Sequence, residues 1–282
     1  MTTGLLALVA AVWGALTGLL LPRAAYRFSV PPGEPWRDRC PAGAHPVRGW
    51  LGATRCGACG SDRGSVEPEG GAESDETRSG PADREADPAA VGRQVPSGAG
   101  GHGVRSALLL AGVTALVCAA LAAATGTRPE LGVWLLLAPV GVLLATVDLR
   151  VRRLPDPLTL PFAAAALLLL GVTALLPEHT GHWPTALWAA LALAAGHFAL
   201  HVLNPDGMGF GDVKLAAGTG AVLGWYGWPT VLLGTFAAFL LGALYGGALV
   251  LARRAGRKTG VPFGPFLLAG TLAGLLTGAF AA

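Results

Sequence analysis

Charge is what this sequence has least of. Only 13% of its 282 residues are charged, against about 25% in an ordinary soluble domain. Lysine occurs twice, as Lys214 and Lys258, and the net charge is +3. That leaves no electrostatic footprint for nucleic acid, which is therefore excluded as a partner. Four cysteines are too few for a secreted disulfide scaffold. What is present is apolar: 52% of the residues are hydrophobic and they come in long uncharged blocks. A helix that crosses a bilayer needs about 20 mostly apolar residues, so these blocks indicate a polytopic membrane protein.

Seven blocks are long enough: Thr2–Leu21, Ser106–Ala124, Leu131–Val147, Leu158–Leu176, Pro184–Leu203, Pro229–Ala252 and Pro262–Ala282. An eighth, Val213–Trp228, is shorter and starts beside Lys214, so it spans only if that lysine snorkels to the surface. The expected fold is all-α, with about eight transmembrane helices and a small cytoplasmic insert after the first. Residues 1–22 form the first helix, 23–60 a Cys-containing insert, 61–104 a linker and 105–282 the membrane domain. The linker has no aromatic residue before Gly103 and is rich in Gly, Ser, Pro, Asp and Glu. Such a composition cannot bury a core and predicts disorder. The insert, taken from Arg23 to Val104, holds 21 of the 37 charged residues. No Lys or Arg precedes Arg23, so the first block lacks the basic start of a signal peptide.

The remaining charges are asymmetric. With eight spans, one set of short loops carries Arg150, Arg152, Arg153, Lys214, Arg253, Arg254, Arg257 and Lys258, while the other carries only Arg128. The positive-inside rule puts the first set in the cytoplasm and the N-terminus outside. The loops 148–157 and 204–212 then share the cytoplasmic face. Gly242/Gly246 and Gly270/Gly274 are small-xxx-small pairs that predict close helix packing.

Carboxylates are scarce after Val104: Glu130, Asp148, Asp156, Glu178, Asp206 and Asp212. A carboxylate at a membrane helix end is a functional candidate. Asp148 falls at the C-terminal end of its helix, where the dipole disfavours negative charge, so capping does not explain it. Arg150, Arg152 and Arg153 could instead balance it as a solvated loop residue. Asp212 lies in Gly207-Met-Gly-Phe-Gly-Asp-Val-Lys214 before a helical block, where an N-cap role competes. Two spans and an outer loop separate the two aspartates, which brings both to one face. Two adjacent carboxylates cannot both ionise easily, and such a pair can work as base and acid. Asp148 is expected to be the partner more easily protonated. Asp212, near Lys214, would be the ionised one.

These segments resemble the prepilin peptidase family, the type IV leader peptidases, which are membrane aspartic proteases with a Gly-x-Gly-Asp motif. Val147-Asp148 followed by Leu154-Pro-Asp-Pro-Leu-Thr-Leu-Pro161 is similar to the first catalytic segment, and Gly207–Leu215 to the second. Val261-Pro-Phe-Gly-Pro-Phe266 is similar to a third, and Gly18 through Tyr26-Arg27 to the end of the first helix. The resemblance implies a bacterial inner-membrane peptidase that cuts basic leaders from prepilin-like precursors at the cytoplasmic face. Asp148 and Asp212 would be catalytic, with Gly209 and Gly211 letting the backbone turn tightly and Lys214 supporting. The peptidase chemistry would need no cofactor. The apolar stretch of a pilin would enter laterally between helices, with membrane lipid around them. Asp156 and Asp206 match no catalytic position and read as turn or cap residues.

Many family members carry two Cys-x-x-Cys pairs that bind zinc. Here Cys56-Gly-Ala-Cys59 is intact, but the first pair reads Cys40-Pro-Ala-Gly-Ala-His45. Cys40, His45, Cys56 and Cys59 could form a Cys₃His zinc site, or be a remnant that holds no metal. Bifunctional members also N-methylate the new N-terminus with S-adenosylmethionine, and the altered cysteine segment bears on that activity. Cys118 reads as a buried apolar residue. His197 and His201 are spaced i, i+4, but Phe198 stands where a metalloprotease has Glu, so they read as packed or pore-side histidines. Two alternatives compete. Presenilin or signal-peptide-peptidase relatives share Gly-x-Gly-Asp but have Tyr before the first aspartate, where Val147 stands here. A proton-coupled transporter would use the same aspartates near the bilayer midplane.

Overall fold

The computed structural model describes residues 2–31, 33–40, 45–47, 49–52, 99–205, 207–252 and 262–282, with side chains described from residue 105 in the second helix. Cys56, Cys59, Asp206, most of the expected linker and the cluster Arg253–Lys258 lie outside them. The described residues form an all-α bundle of eight helices: α1 Thr3–Phe28, α2 Ala99–Thr125, α3 Glu130–Val151, α4 Asp156–Thr173, α5 Trp183–Leu203, α6 Phe210–Gly224, α7 Trp228–Leu251 and α8 Gly264–Ala281. Seven of them are long and apolar enough to cross a membrane. The chain is a multi-pass membrane protein.

Three boundaries differ from expectation. α1 continues through Pro22 to Phe28 rather than stopping near residue 22. Its last turn is held by the insert, because the Arg27 guanidinium donates to the carbonyls of Val47 and Gly49 and lies 4.0 Å over the Trp50 ring. α2 begins at Ala99, inside the segment expected to be linker. α6 begins at Phe210, not Val213.

α6 is the short helix. Its 15 residues rise about 22 Å at 1.5 Å each, less than the roughly 30 Å hydrocarbon core. It survives because neighbours surround it: 11 of the 15 residues are buried. Close approach depends on missing side chains. A Cβ on Gly220 or Gly224 would collide with the α5 backbone at Ala189 and Thr185. Gly270 and Gly274 meet α7 in the same way at Gly234. Gly242 and Gly246 do not behave as the second packing pair. Gly242 faces the Phe263 ring at ordinary distance, and among the described residues nothing lies within 4 Å of a Cβ at Gly246. A pair not singled out in the sequence, Gly14 and Gly18, brings α1 onto the α2 backbone at Thr114 and Ala111. Cys118 is fully buried beside Ala10, Ala122 and Leu131.

The outward faces of the helices carry large apolar side chains such as Leu109, Leu168 and Phe236, each more than 60% exposed. The core lies between α2, α3, α4, α6 and α8, around Trp134, Leu144, Leu170, Leu215 and Leu267. It fixes one end of α3 against the starts of α4, α6 and α8, where Asp148, Asp156 and Asp212 lie.

Candidate active site

Asp148 sits in the last turn of α3 and is 4% exposed, while Asp212 sits in the first turn of α6 and is 8% exposed. The fold brings both to Leu154, which packs against Gly211, the neighbour of Asp212, and against Gly264, whose N–H bonds Asp148. Neither is a solvated loop residue. Nor is Asp212 the N-cap of its helix, because that position belongs to Gly209. As third residue of the helix, Asp212 reaches back, and its Oδ2 accepts the Gly209 N–H at 3.2 Å.

Asp148 has a donor that its own helix does not supply. Its Oδ2 accepts the backbone N–H of Gly264 at 3.0 Å, the first residue of α8. The first N–H groups of a helix have no partner within it, and the positive end of the dipole favours an anion there. Each aspartate therefore receives one N–H from a helix N-terminus. The dipole argument from α3 alone, which singled out Asp148 as the partner more easily protonated, no longer separates the two.

Glycine acts at this site through space rather than through unusual backbone angles. Gly209 has φ −71° and ψ 145°, which any residue can adopt, and Gly211 is helical with no positive φ. The backbone turns there, with the Asp212 N–H donating to the Gly209 carbonyl at 3.0 Å, but through angles open to any residue. What Gly211 requires is room, since a Cβ there would stand 2.8 Å from Cβ of Leu154. Gly264 is more restricted: its Cβ would stand 2.8 Å from Oδ2 of Asp148 and 3.4 Å from Cδ1 of Leu154. Leu154 is 6% exposed and wedges between the starts of α6 and α8. Neither Gly264 nor Leu154 stands out in the sequence as part of the site. The available signal was their position inside the Pro-Phe-Gly-Pro and Leu-Pro-Asp-Pro segments.

Lys214 does not pair with Asp212. Its Nζ lies 2.6 Å from Oδ1 of Asp156, the first residue of α4, and 4.9 Å from the Phe210 ring centroid. It ties α6 to α4 beside the site. The histidines of α5 contact segments beside the site. Nδ1 of His201 lies 2.7 Å from the Met208 carbonyl and tethers the Gly207–Gly211 stretch. His197 is 2% exposed and stacks against Phe239 and Phe263, the residue before Gly264. Both support backbone segments that reach the aspartates.

The expected metal site is only half in view. Cys40 and His45 lie beside the β-bridge between Arg39 and Pro46, and the Cys40 N–H donates to the His45 carbonyl. Among the described residues no three His, Cys, Asp or Glu side chains cluster as metal ligands. Cys56 and Cys59 fall outside those residues.

Two buried carboxylates from different helices, each held by a backbone N–H, form a constellation suited to acid–base chemistry without a metal. Comparison with known proteins identifies the family. A profile of the type IV leader peptidase family matches residues 135–247, which include both aspartates. The prepilin leader peptidase/N-methyltransferase of Aeromonas salmonicida is 38% identical over 176 residues, covering 59% of this chain and 55% of that protein. The leader peptidase HopD of Salmonella typhimurium is 36% identical over 148 residues, covering 50% of this chain and 88% of that protein. The prepilin leader peptidase/N-methyltransferase of Bacillus subtilis is 34% identical over 175 residues, covering 58% of this chain and 64% of that protein. The match thus spans about half the length of the Aeromonas relatives. No solved structure matches significantly. Matched over most of HopD, and with both aspartates inside the family's own segment, this chain belongs to the type IV leader peptidase family.

Proposed function

We propose that the chain is a membrane-embedded aspartic endopeptidase that removes N-terminal leaders from prepilin-like precursors. The observation that carries this reading is that Asp148 and Asp212, both buried, lie on either side of Leu154 at one end of the bundle. The pair shares one proton. The ionised carboxylate takes a proton from water as the water oxygen attacks the scissile carbonyl carbon. The protonated carboxyl gives its proton to the carbonyl oxygen. As the tetrahedral diol collapses, the C–N bond breaks, the leaving amine takes the proton that came from water, and one diol hydroxyl returns its proton to the other carboxylate, which restores the singly protonated pair. The N–H groups of Gly264 and Gly209 hold the two carboxyl groups in place.

The working end is assigned to the cytoplasmic face of a bacterial inner membrane, with the N-terminus outside. The support is the Arg-rich loop after Asp148, because short cytoplasmic loops carry the excess of Arg and Lys. Membrane lipid covers the exposed apolar faces. The Aeromonas relative's name includes N-methyltransferase, an activity that draws on S-adenosylmethionine. No step is assigned to that activity, and peptidase activity alone is proposed. If the Cys segment does bind zinc, Cys40 and His45 with Cys56 and Cys59 would hold it, remote from this chemistry in the sequence.

Co-expression with prepilin-like precursors from the same genome tests the reading. The intact chain should convert a precursor to a faster-migrating form, and Asp148→Ala or Asp212→Ala should abolish the shift. Cleavage that persists in both variants would remove the aspartates from the mechanism.

A further inference from the structure

Pro139 interrupts α3, the helix whose last turn carries Asp148. Proline has no N–H, so the carbonyl four residues before it, on Leu135, loses its partner within the helix. The proline ring also crowds that carbonyl, which makes this turn the place where the helix bends most easily. In hydrocarbon no water replaces the lost bond, so a neighbouring helix has to supply a donor. Here α1 does: Nε1 of Trp13 donates to the Leu135 carbonyl at 2.9 Å. The bond joins residues 122 apart in the chain. The Trp13 ring is 42% exposed, so it fills no core space that demands an indole.

α1 also grips α3 on both sides of the proline. Before it, Ala10 shares a buried cluster with Leu131, and Leu6 and Leu135 pack against that cluster. After it, Leu21, Ala24, Ala25 and Phe28 share another with Leu143 and Val147, the neighbour of Asp148. The Trp13 bond lies between the two. α1 lies outside the family-matched residues 135–247, so this support reaches the Asp148 helix from beyond that segment.

We infer that α1 is a splint across the break in α3, and that Trp13 is a positioning residue for Asp148. The inference rests on the peptidase reading and adds a residue that acts through α3 rather than on the substrate. Nine residues separate Pro139 from Asp148, or about 13 Å of helix. Over that lever a bend of about 5° at the proline moves the carboxylate by about 1 Å. A shift of that size stretches the 3.0 Å bond from the Gly264 N–H and can cost about a hundredfold in rate. Indole suits the task, because its nitrogen only donates and its ring tolerates an apolar surrounding. Phenylalanine at the same place keeps an aromatic ring against α3 and loses the bond.

Two experiments test the splint. In the first, kcat and KM are measured for a full precursor. Trp13→Phe should lower kcat about 10- to 100-fold while KM stays within about twofold. Pro139→Ala restores an N–H to the Leu135 carbonyl, so in that background Trp13→Phe should change kcat by less than about twofold. Trp188→Phe, at a 63% exposed position on α5, should change neither constant. A kcat loss below about threefold in the wild-type background, or an equal loss in both backgrounds, overturns the inference. The second needs no cleavage. Spin labels on non-canonical amino acids replace Leu149, 60% exposed in the last turn of α3, and Leu109, 68% exposed on α2. Trp13→Phe should broaden the distribution of distances between them, and adding Pro139→Ala should narrow it again. A distribution that Trp13→Phe leaves unchanged overturns the inference. If the distribution responds as expected but the intact chain cuts no precursor, the peptidase reading fails and the splint stands.

Discussion

Gly264→Ala is the most informative single change. The added Cβ would stand 2.8 Å from Oδ2 of Asp148 and 3.4 Å from Leu154. The Gly264 backbone is part of α8 and the Leu154 side chain is packed on both sides, so the carboxylate is the group that moves. Moving it breaks the 3.0 Å bond from the Gly264 N–H. A hydrogen bond to a charged group is worth about 1.5–3 kcal/mol net. Each 1.4 kcal/mol of barrier is about tenfold in rate, so kcat should fall about 10- to 100-fold. Overpacking also costs about 1–3 kcal/mol of stability, so the rate is expressed per folded enzyme. The assay is leader release from purified precursor in detergent, with thermal unfolding measured in parallel. Gly112→Ala is the control, because nothing lies within 4 Å of a Cβ at that position. If Gly264→Ala keeps kcat within about twofold of the wild type, the N–H does not position Asp148 and the reasoning fails.

Other outcomes follow from the same contacts. Leu154→Ala removes the wedge between the starts of α6 and α8 and should cost about 2–5 kcal/mol of stability, with a larger fractional loss of kcat than of folded protein; calorimetry beside the cleavage assay reads both. Lys214→Met breaks the ion pair with Asp156, whose side chain is 58% exposed; exposed pairs contribute about 0–1 kcal/mol, so unfolding should shift slightly and activity by less than about threefold. The kcat/KM profile should be bell-shaped, with the acidic limb marking protonation of both carboxyls and the basic limb ionisation of both; a profile with one limb only would deny the shared proton. Glu130 is fully buried at the opposite end of α3, where one carboxylate oxygen accepts from Thr180 at 2.8 Å and the other has no partner. Glu130→Ala should therefore lower the unfolding temperature by several degrees while the kcat of the folded fraction is unchanged.

Much of this arrangement was legible in the sequence because membrane helices leave few places for charge. Asp148 and Asp212 stood out as carboxylates at the ends of apolar blocks, and loop parity brought them to one face. Gly264 was not legible as a donor, because it lies 116 residues from Asp148 and only the packing of α8 aims its N–H there. The same holds for Lys214, whose partner Asp156 is 58 residues away rather than the adjacent Asp212. The start of α6 was misplaced because Phe210-Gly211-Asp212 reads as a loop; Asp212 makes it helical by capping Gly209. Pro22 and Arg23 look like the end of a span, yet α1 runs on because the insert supplies carbonyl partners for Arg27. Local residue chemistry shows where a charge is unusual; only the packing shows which backbone group meets it.

The central claim is that Asp148 and Asp212 act as one catalytic unit. The direct measurement is the rate of leader release, under single-turnover conditions, by the purified wild type, Asp148→Asn, Asp212→Asn and the double variant. Each single substitution should lower the rate by at least about a hundredfold, and the double variant should be no slower than the slower single. A single variant that keeps more than about a tenth of the wild-type rate, or a double loss equal to the product of the single losses, would contradict the account.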